Sequence, residues 1–547
     1  MTGDRYSPRV EFDAKLVLRF REALSSLGAV GEKPAFHYWT KKPLEVAERL
    51  ILEFLVDGGV LLDPFLGSGS SLLAFRNAGR PGTFIGVDVN QLPLEISALQ
   101  VDPSYASRIE NAYRRIQLFC ATNDPFSRLE EASGTGLKFV RATVNIDAGN
   151  PEVTALQFGE SRSEKQILQE GHSRFVNARE EYLSLWRAAC GPFARNHELT
   201  PNSRIAAKDG TFVSDLFSPI AFRFLLEYSE RFKEDLDAML VLSACLHHCK
   251  LTDRGTQSQF PFWFPKKEAI DRNTGLTIKK KAFELLRNSS RERIRVLPVS
   301  RKQSISTDPD DKLLNYVLLE KGIQKLADAE IPSSSVDLVI TDPPYFDQVA
   351  YSEYLAMWEF FTGLRSNLEH EIIESNRKTD ARTRTRYLQD LSNAFANVRR
   401  MVKDSAPLFL YFKDSKPQNV SDFVKTLSTV GFKFLAQTHL SADRRTYKQN
   451  SSPESTVSGD CLMLFVATEP QVTMPADRSL VAESGSAEQL IRSYLKVNGP
   501  SSLGEIYDNV LIPSLLQSGE LEHFQSQEQI FKILEKFTRR SDQRYEA

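Results

Sequence analysis

One segment near the start of the chain leaves few folds open, because its elements follow in the order strand, glycine turn, helix and strand. An apolar strand ends at residue 63, residues 63–70 read DPFLGSGS, and a helical pattern follows at once. A second strand, TFIGVDVN at 83–90, comes next. Two strands joined by a single helix run parallel, and parallel sheets are covered by helices on both faces. The segment therefore predicts a doubly wound, Rossmann-like α/β sheet.

The same turn carries residues suited to holding a small ligand. Gly67 and Gly69 let the backbone bend sharply and approach a ligand closely. Asp63 ends the first strand, where its carboxylate is placed for a cationic group. Asp88 ends the second strand, where an acid in dinucleotide-binding folds binds ribose hydroxyls. Leu72 stands where a dinucleotide fingerprint has its third glycine, which favours a ligand without phosphates.

A second motif, Asp342-Pro343-Pro344-Tyr345, directly follows an apolar strand predicted at 336–340. A carboxylate and a backbone carbonyl can accept the two N–H bonds of an aromatic amine, whose lone pair is otherwise delocalised into its ring. Prolines fix the backbone that presents these acceptors, and tyrosine offers a flat face on which a base can stack. In a reaction of such an amine, positioning and acceptor electrostatics would account for most of the rate.

Together these motifs resemble those of the DNA amino-methyltransferases, the N6-adenine and N4-cytosine class of S-adenosylmethionine-dependent enzymes. The resemblance rests on DPFLGSG at 63–69, GVDVN with its Asp88, and DPPY at 342–345. FHYWTKKP at 36–43 is similar to the segment that precedes the cofactor motif in that family. The likeness covers roughly residues 36–105 and 315–467.

The resemblance implies a class I methyltransferase sheet with S-adenosyl-L-methionine as cofactor. Asp63 would meet the methionine amino group, Phe65 would line the pocket, Asp342 and the Pro343 carbonyl would hold the target amine, and Tyr345 would stack on the base. The expected cofactor-binding residues are Asp63, Phe65, Gly67, Ser68, Gly69, Asp88 and Asn90, and the expected catalytic residues are Asp342, Pro343, Pro344 and Tyr345. A sulfonium methyl group is already activated, so no metal is expected.

The target is expected to be double-stranded DNA with a flipped base. Asp at the first catalytic position favours adenine N6, while N4-cytosine and an RNA base such as guanine N2 remain alternatives. Relatives often show Gly-Asp-Ala before the DPPY strand, whereas this chain has Gly322-Ile323-Gln324. A non-catalytic binding protein and a nucleotide-dependent oxidoreductase are further alternatives, disfavoured by the intact motifs and by Leu72. Restriction-modification is the expected setting.

Length and pattern predict several units in the 547 residues. A large, mainly helical insert separates the two motifs, and in the resembling family such a segment often recognises the DNA sequence. A small helical unit ends the chain. The expected units are an N-terminal helix with the cofactor half of the sheet at 1–105, the recognition insert at 106–310, the catalytic half at 311–470, a linker at 471–487 and the C-terminal unit at 488–547.

Charge and cysteine content limit the partners and the location. The chain has 69 basic and 71 acidic residues, so nucleic-acid binding must use local patches. Two such patches lie at 266–302 and 377–403, and an aromatic cluster at 260–264 adjoins the first. Five scattered cysteines, no apolar leader and no membrane-spanning run predict a cytoplasmic protein without membrane contact. Cys245, His247, His248 and Cys249 form a candidate metal cluster, for which ordinary core packing is the favoured interpretation.

Overall fold

The structure is a computed structural model that describes residues 8–24, 42–147, 150–159, 165–253, 268–289, 315–377, 381–440, 459–470, 487–540, 542 and 544–547. Its strands are β1 Gly59–Asp63, β2 Gly82–Asp88, β3 Phe139–Asp147, β4 Asn150–Gly159, β5 Lys165–Gln169, β6 Thr252–Asp253, β7 Glu268–Arg272, β8 Asn315–Glu320, β9 Leu338–Thr341, β10 Pro407–Tyr411, β11 Phe432–Leu440, β12 Asp460–Ala467, β13 Ser501–Ser502, β14 Thr538–Arg539 and β15 Arg544–Glu546.

Helices connect and cover these strands. They are α1 Pro8–Leu24, α2 Leu44–Phe54, α3 Ser70–Ala78, α4 Gln91–Val101, α5 Tyr105–Thr122, α6 Ser127–Ser133, α7 Phe175–Ala189, α8 Pro219–Phe232, α9 Leu236–Cys249, α10 Thr274–Ser289, α11 Tyr351–Thr362, α12 Arg384–Met401, α13 Pro417–Thr429, α14 Ala487–Asn498, α15 Leu503–Ile506, α16 Ile512–Ser518 and α17 Gln527–Phe531. The helix α2 begins directly after Pro43.

A seven-stranded sheet in the order β11-β12-β10-β9-β1-β2-β8 forms the centre of the molecule. Every strand runs parallel to the others except β12, which is antiparallel to both of its neighbours. The predicted largely parallel α/β sheet is therefore confirmed. Strand β9 is buried along its whole length because helices cover both faces of the sheet. One face packs on α1, α2 and α3, and the other packs on α12 and α13.

The direction of strand addition reverses between β1 and β9. From β1 the chain adds β2 and then β8 on one side, and it returns to place β9 and β10 on the other. Strands β1 and β9 pair in parallel, with Leu61 opposite Leu338 and Leu62 opposite Val339. Ligands bind outside the carboxyl ends of strands at such a switch point. Both sequence motifs lie there, because each begins where one of these two strands ends.

The insert between β2 and β8 contains a second sheet that the sequence analysis did not predict. Its five strands are antiparallel neighbours in the order β5-β4-β3-β7-β6. Within the insert, which the sequence predicts to be mainly helical, residues 165–169 form β5 because they pair with β4. The stretch 217–251 contains two helices that break after Phe232. The insert is thus helices packed with a sheet, and helices α6 and α7 cover that sheet.

The insert and the segment after DPPY share one hydrophobic core. Helix α11 packs against α8 and α9 of the insert, and the Trp358 Nε1–H donates to the Ser243 carbonyl at 2.9 Å. Asn202 Nδ2 of the insert also donates to the buried Glu353 carboxylate of α11 at 2.8 Å. The insert is therefore held to the helix that follows the DPPY turn by packing and by hydrogen bonds.

The C-terminal unit consists of α14 to α17 with a small sheet in the order β13-β15-β14, so it is not purely helical as expected. Its apolar side chains join the core on the α12–α13 face of the central sheet. His439 of β11 and Asp508 of this unit lie 2.6 Å apart. The predicted linker, 471–487, lies outside the described residues except for residue 487.

Helix length and the state of the cysteines can be read directly from the structure. Among the residues that the structure describes, no helix is both long and apolar enough to cross a bilayer. All five cysteines carry free thiols, and Cys190 alone is exposed.

Candidate active site

A pocket of about 980 Å³, part of it open to solvent, lies at the carboxyl ends of β1 and β9. It brings the two sequence motifs together, although they are separated by the whole insert. Eight of the predicted site residues line it: Asp63, Phe65, Gly67, Ser68, Asp88, Asn90, Asp342 and Pro344. Gly69, Pro343 and Tyr345 lie beside it without lining it.

Asp63 joins the two strand ends by hydrogen bonds. Its Oδ1 accepts the Thr341 hydroxyl at 2.6 Å and the Phe65 amide at 3.2 Å, and its Oδ2 accepts the Ser71 hydroxyl. Burial raises the pKa of Asp63 to about 6, and these hydrogen bonds offset only part of that effect. Such a carboxylate is costly without a cation beside it, which suits it to a ligand's positive group.

The glycine turn is held against Asp88. The Gly67 amide donates to Asp88 Oδ2 at 3.0 Å and the Asn90 amide donates to Oδ1 at 2.9 Å. Burial raises the pKa of Asp88 to about 6. Gly69 has φ of 73°, a left-handed conformation that favours glycine, and it precedes α3. The turn thus presents backbone to the pocket between the buried Asp63 carboxylate and the partly buried Asp88 carboxylate.

Phe65, Ser68 and Asn90 complete the wall around this turn. The Phe65 ring lies 6.0 Å from that of Phe395. The Ser68 carbonyl accepts a hydrogen bond from Gln100 at 3.2 Å, and its hydroxyl shares one with Ser70. Asn90 Oδ1 accepts the Asn367 amide at 2.9 Å, so the tip of β2 is tied to the loop after α11. These contacts fix the wall from outside and leave its inner side for a ligand.

The DPPY turn is held by hydrogen bonds from two tyrosines. The Tyr345 hydroxyl donates to Asp342 Oδ1 at 2.5 Å, and the Tyr387 hydroxyl of α12 donates to the Pro344 carbonyl at 2.7 Å. Pro343 is buried, and no described side chain donates to its carbonyl. Burial raises the pKa of Asp342, and the nearby Lys42 opposes that rise. The Tyr345 ring packs on Phe412 with centroids 5.4 Å apart.

Lys42 is a site residue that the sequence analysis did not single out. Its Nζ lies 3.3 Å from Asp342 Oδ2, 3.3 Å from the Tyr345 hydroxyl and 3.7 Å from Asp460. Burial by itself lowers the pKa of Lys42, but the two carboxylates outweigh it, so the pKa lies above the ordinary value. The only sequence signal was its place in FHYWTKKP, of which residues 36–41 lie outside the described residues.

Gln324 and Glu371 are two further polar residues of the pocket wall. Gln324 Nε2 donates to the His370 carbonyl at 3.1 Å, while its buried Oε1 has no hydrogen-bond partner among the described residues. Glu371 accepts from the Ser352 hydroxyl at 2.7 Å at the start of α11, and burial raises its pKa to about 7. Gln324 occupies the region where relatives carry an acid, and that substitution was its sequence signal. Glu371 had none.

The structure also bears on the predicted metal and phosphate contacts. Within the described ranges no group of three or more His, Cys, Asp or Glu side chains is arranged to hold a metal. Cys245 and Cys249 are buried in α9. The aromatic cluster at 260–264 and most of the basic stretch 266–302 lie outside the described residues. In the other stretch, 377–403, arginines pair with carboxylates of the protein, including Arg377 with Glu353 at 3.0 Å and Arg384 with Asp422 at 2.6 Å.

Comparison with known proteins gives one family match. Residues 21–98 match the N6/N4 family model described as DNA methylase. The Type II methyltransferase M.MjaII of Methanocaldococcus jannaschii is 21% identical over 385 residues, which cover 66% of this chain and 67% of that protein. These findings confirm the predicted resemblance to the DNA amino-methyltransferase family.

Two shorter matches agree with it. The Type II methyltransferase M.HpaI of Haemophilus parainfluenzae is 35% identical over 66 residues, 12% of this chain and 20% of that protein. The Type II methyltransferase M2.DpnII of Streptococcus pneumoniae is 37% identical over 71 residues, 13% of this chain and 26% of that protein. The chain therefore matches only a fifth to a quarter of the length of these two proteins.

Gly69 offers a test of the turn. A Cβ added there would lie 2.2 Å from the Ser97 hydroxyl oxygen and 2.7 Å from its Cβ, whereas at Gly79, also left-handed with φ of 61°, it would meet nothing within 4 Å. We expect Gly69→Ala to lower the melting temperature clearly more than Gly79→Ala, measured by thermal denaturation. Ser97→Gly should restore part of the stability that Gly69→Ala removes. Equal shifts for the two alanine variants would contradict this packing.

Proposed function

We propose that this chain, a relative of the DNA amino-methyltransferases, transfers a methyl group from S-adenosyl-L-methionine to an exocyclic amine of a DNA base, adenine N6. The observation that carries the proposal is the single pocket that Asp63 and Asp342 share at the ends of two paired strands. One carboxylate is suited to a cationic ligand and the other to an amine. Their common pocket is what a two-substrate transfer between such groups requires.

The residues of the first strand end fit this cofactor. When bound, S-adenosyl-L-methionine supplies a methyl group activated by a sulfonium. Asp63 would bind its methionine ammonium, Asp88 its ribose hydroxyls, and Phe65, Gly67, Ser68, Gly69 and Asn90 would form the surrounding wall. The buried Gln324 Oε1, which has no hydrogen-bond partner among the residues described, is an acceptor suited to the exocyclic amine of the adenine ring. The missing third glycine at Leu72 agrees with a cofactor that has no pyrophosphate.

The DPPY turn would hold the target amine. Asp342 already accepts from a hydroxyl and faces an ammonium, so it is oriented towards donors of the kind the amine supplies. The Pro343 carbonyl provides the second acceptor, with Pro344 fixing the turn through its bond from Tyr387. Tyr345 would stack on the base. Asp342 and the carbonyl together would draw the nitrogen towards tetrahedral geometry and raise its nucleophilicity.

Lys42 would act as a positioning residue for Asp342. Its ammonium opposes the effect of burial on the Asp342 pKa and so favours the carboxylate form that accepts the amine's protons. Asp460 lies 3.7 Å from the Lys42 ammonium. Lys42 would therefore keep a carboxylate partner while Asp342 binds the target amine. The Asp342 carboxylate thus stays charged beside a cation.

The insert, 106–310, would recognise double-stranded DNA with a flipped base, and residues 488–547 would support the catalytic half. The contacts of Asn202 and Trp358 across the shared core would couple recognition to the DPPY turn. The type II names of the relatives support a role in restriction-modification.

Mass spectrometry of nucleosides tests the proposal directly. The purified chain is incubated with labelled S-adenosyl-L-methionine and either duplex DNA or tRNA, and the products are digested. N6-methyladenine in the DNA is the expected product. N4-methylcytosine would change the target base, methylguanine in tRNA would change the nucleic acid, and no labelled base in either would overturn the proposed reaction.

Asp342→Ala is expected to lower the rate of methyl transfer by at least ~100-fold, because a partly buried acceptor that acts in the transition state is removed. Cofactor affinity should change by less than about threefold, since Asp342 belongs to the amine site. Single-turnover rates and calorimetric binding measure the two effects. Asp404→Asn, at a carboxylate that is 82% exposed, is the control and should leave both unchanged. Near-normal turnover of Asp342→Ala would contradict its assigned role.

Cofactor affinity should depend on pH through Asp63 and Asp88, whose pKa values burial raises to about 6. Both are ionised above that pH, so affinity should be level from pH 7 upward and fall roughly tenfold per pH unit for each proton taken up below about 6. Without cofactor the sign is opposite: the folded state binds these protons more tightly than the unfolded chain, so stability falls as pH rises from about 4 to about 6.

Calorimetric titrations from about pH 5 to about pH 8 measure the binding limb, and melting temperatures from about pH 4 to about pH 7 measure the stability limb. Asp88→Asn should make the acid limb of binding less steep, because one of the two protons is removed. Equal cofactor affinity at pH 5 and pH 8 would contradict the assignment.

A further inference from the structure

A second cavity, far from the motifs in sequence, lies in the insert between its sheet and helices α9 and α10. We call it the insert cavity; it measures about 990 Å³ with its mouth open to solvent. Four cationic side chains line it, Arg141, Arg272, Lys280 and Lys281, against one acid, Glu284. Strands β3 and β7 supply the two arginines, and α10 supplies the lysines.

The two arginines are brought together by strand pairing. Arg141 of β3 stands directly opposite Arg272 of β7, a like-charge pair that weakens a sheet unless something offsets it. Burial and the charge of Arg141 lower the pKa of Arg272. Behind them the side chain of Lys250 is buried, and burial together with Arg272 lowers its pKa to about 7. Like charges thus lie close together here: Arg141 disfavours the charged form of Arg272, and Arg272 disfavours the charged form of Lys250.

The carboxylates nearby neutralise only part of this charge. Glu284 pairs with Lys281 at 3.5 Å. Asp271 is next to Arg272 in the chain, but its carboxylate accepts the hydroxyls of Tyr182 and Ser218 at 2.6 and 2.9 Å. Within the part of the chain that the structure describes, no carboxylate forms an ion pair with Arg141, Arg272 or Lys280. The two arginines bond to neutral groups, Arg141 to Gln157 and Arg272 to Thr252.

This arrangement contrasts with the basic stretch 377–403, where guanidinium groups meet carboxylates of the protein. Guanidinium groups with free donors bind phosphate oxygens through paired hydrogen bonds, and lysines add point charge. The first turn of the 16-residue helix α10 also borders the cavity, and the partial positive charge of its N-terminus adds to the same field. The insert cavity is therefore complementary to a phosphate group from outside the chain.

We propose that the insert cavity binds a phosphate of the nucleic-acid backbone and so anchors the insert on its target. The identity of the polymer, duplex DNA, rests on the proposed function; the phosphate chemistry does not. Phosphate contacts fix register and orientation without reading sequence. The anchor would hold the insert while other residues recognise the bases.

The test uses the full chain with Arg141→Gln and Lys280→Gln combined, because both side chains are exposed and their replacement leaves the core intact. Lys279→Gln is the matched control, since Lys279 adjoins Lys280 but does not line the cavity. Binding to duplex DNA is measured by fluorescence anisotropy at several salt concentrations. The slope of log affinity against log salt should become shallower by about 0.9 for each phosphate that the variant no longer neutralises. Affinity should fall equally for all DNA sequences.

The control should keep the slope of the unaltered protein. Unchanged affinity and slope in the double variant would overturn the proposal. A second arm measures the rise in melting temperature caused by inorganic phosphate. If the double variant no longer shows that rise but keeps its DNA slope, the cavity takes free phosphate and the backbone assignment is wrong.

Methyl transfer by the unaltered protein separates this inference from the proposed function. If the unaltered protein methylates DNA and the double variant binds DNA as tightly as it does, the phosphate proposal is wrong and the proposed function stands. If the unaltered protein does not methylate DNA but the double variant has a reduced salt slope, the proposed function is wrong and the phosphate proposal stands.

Discussion

The hydrogen bond from the Thr341 hydroxyl to Asp63 marks the constraint on which the site depends, the side-by-side pairing of β1 with β9. Neither strand end has a complete site. Asp63 and the glycine turn belong to one, and the DPPY turn belongs to the other, more than half the chain away. Parallel pairing places both carboxyl ends at one edge of the sheet, so the geometry of the pocket follows from the register of two buried apolar strands.

Keeping several carboxylates in this pocket costs the protein free energy when no ligand pairs with them. Asp63 is buried and Asp88 and Asp342 are partly buried, and in each of the three carboxylates the loss of solvent raises the pKa. Two of them are offset by hydroxyl and amide donors, and the third by Lys42. A fold that keeps such groups together gains little stability from them. Their arrangement is better explained by the cations and amines that they can bind.

The sequence predicted the elements that are periodic and apolar, and it missed those that depend on distant partners. The strand-turn-helix at 59–78 was recognisable because its glycines and its apolar run are adjacent in the chain. Residues 165–169 resemble a helix locally, and only pairing with β4 makes them a strand.

The same limit applies to the site. The DPPY and glycine motifs were found from the residues alone, and the structure adds that they meet. Lys42 was missed because its partners Asp342 and Asp460 are some 300 residues or more away in the chain. The positive charge of 377–403 could be predicted from the sequence, but the carboxylates that pair with its arginines could not. In the insert's sheet the arginines differ from those at 377–403, because they form no ion pair with a described carboxylate.

The insert leaves the central sheet after β2 and re-enters it at β8, the outermost strand on that side. Strand β2 separates β8 from β1, so the ladder between β1 and β9 does not contact the strand at which the insert re-enters. A segment attached at the rim can change in length or surface over evolutionary time without disturbing the inner register, provided that it preserves the apolar surface contacting α11. The surface that the insert presents can then change while the pocket at the strand ends stays fixed.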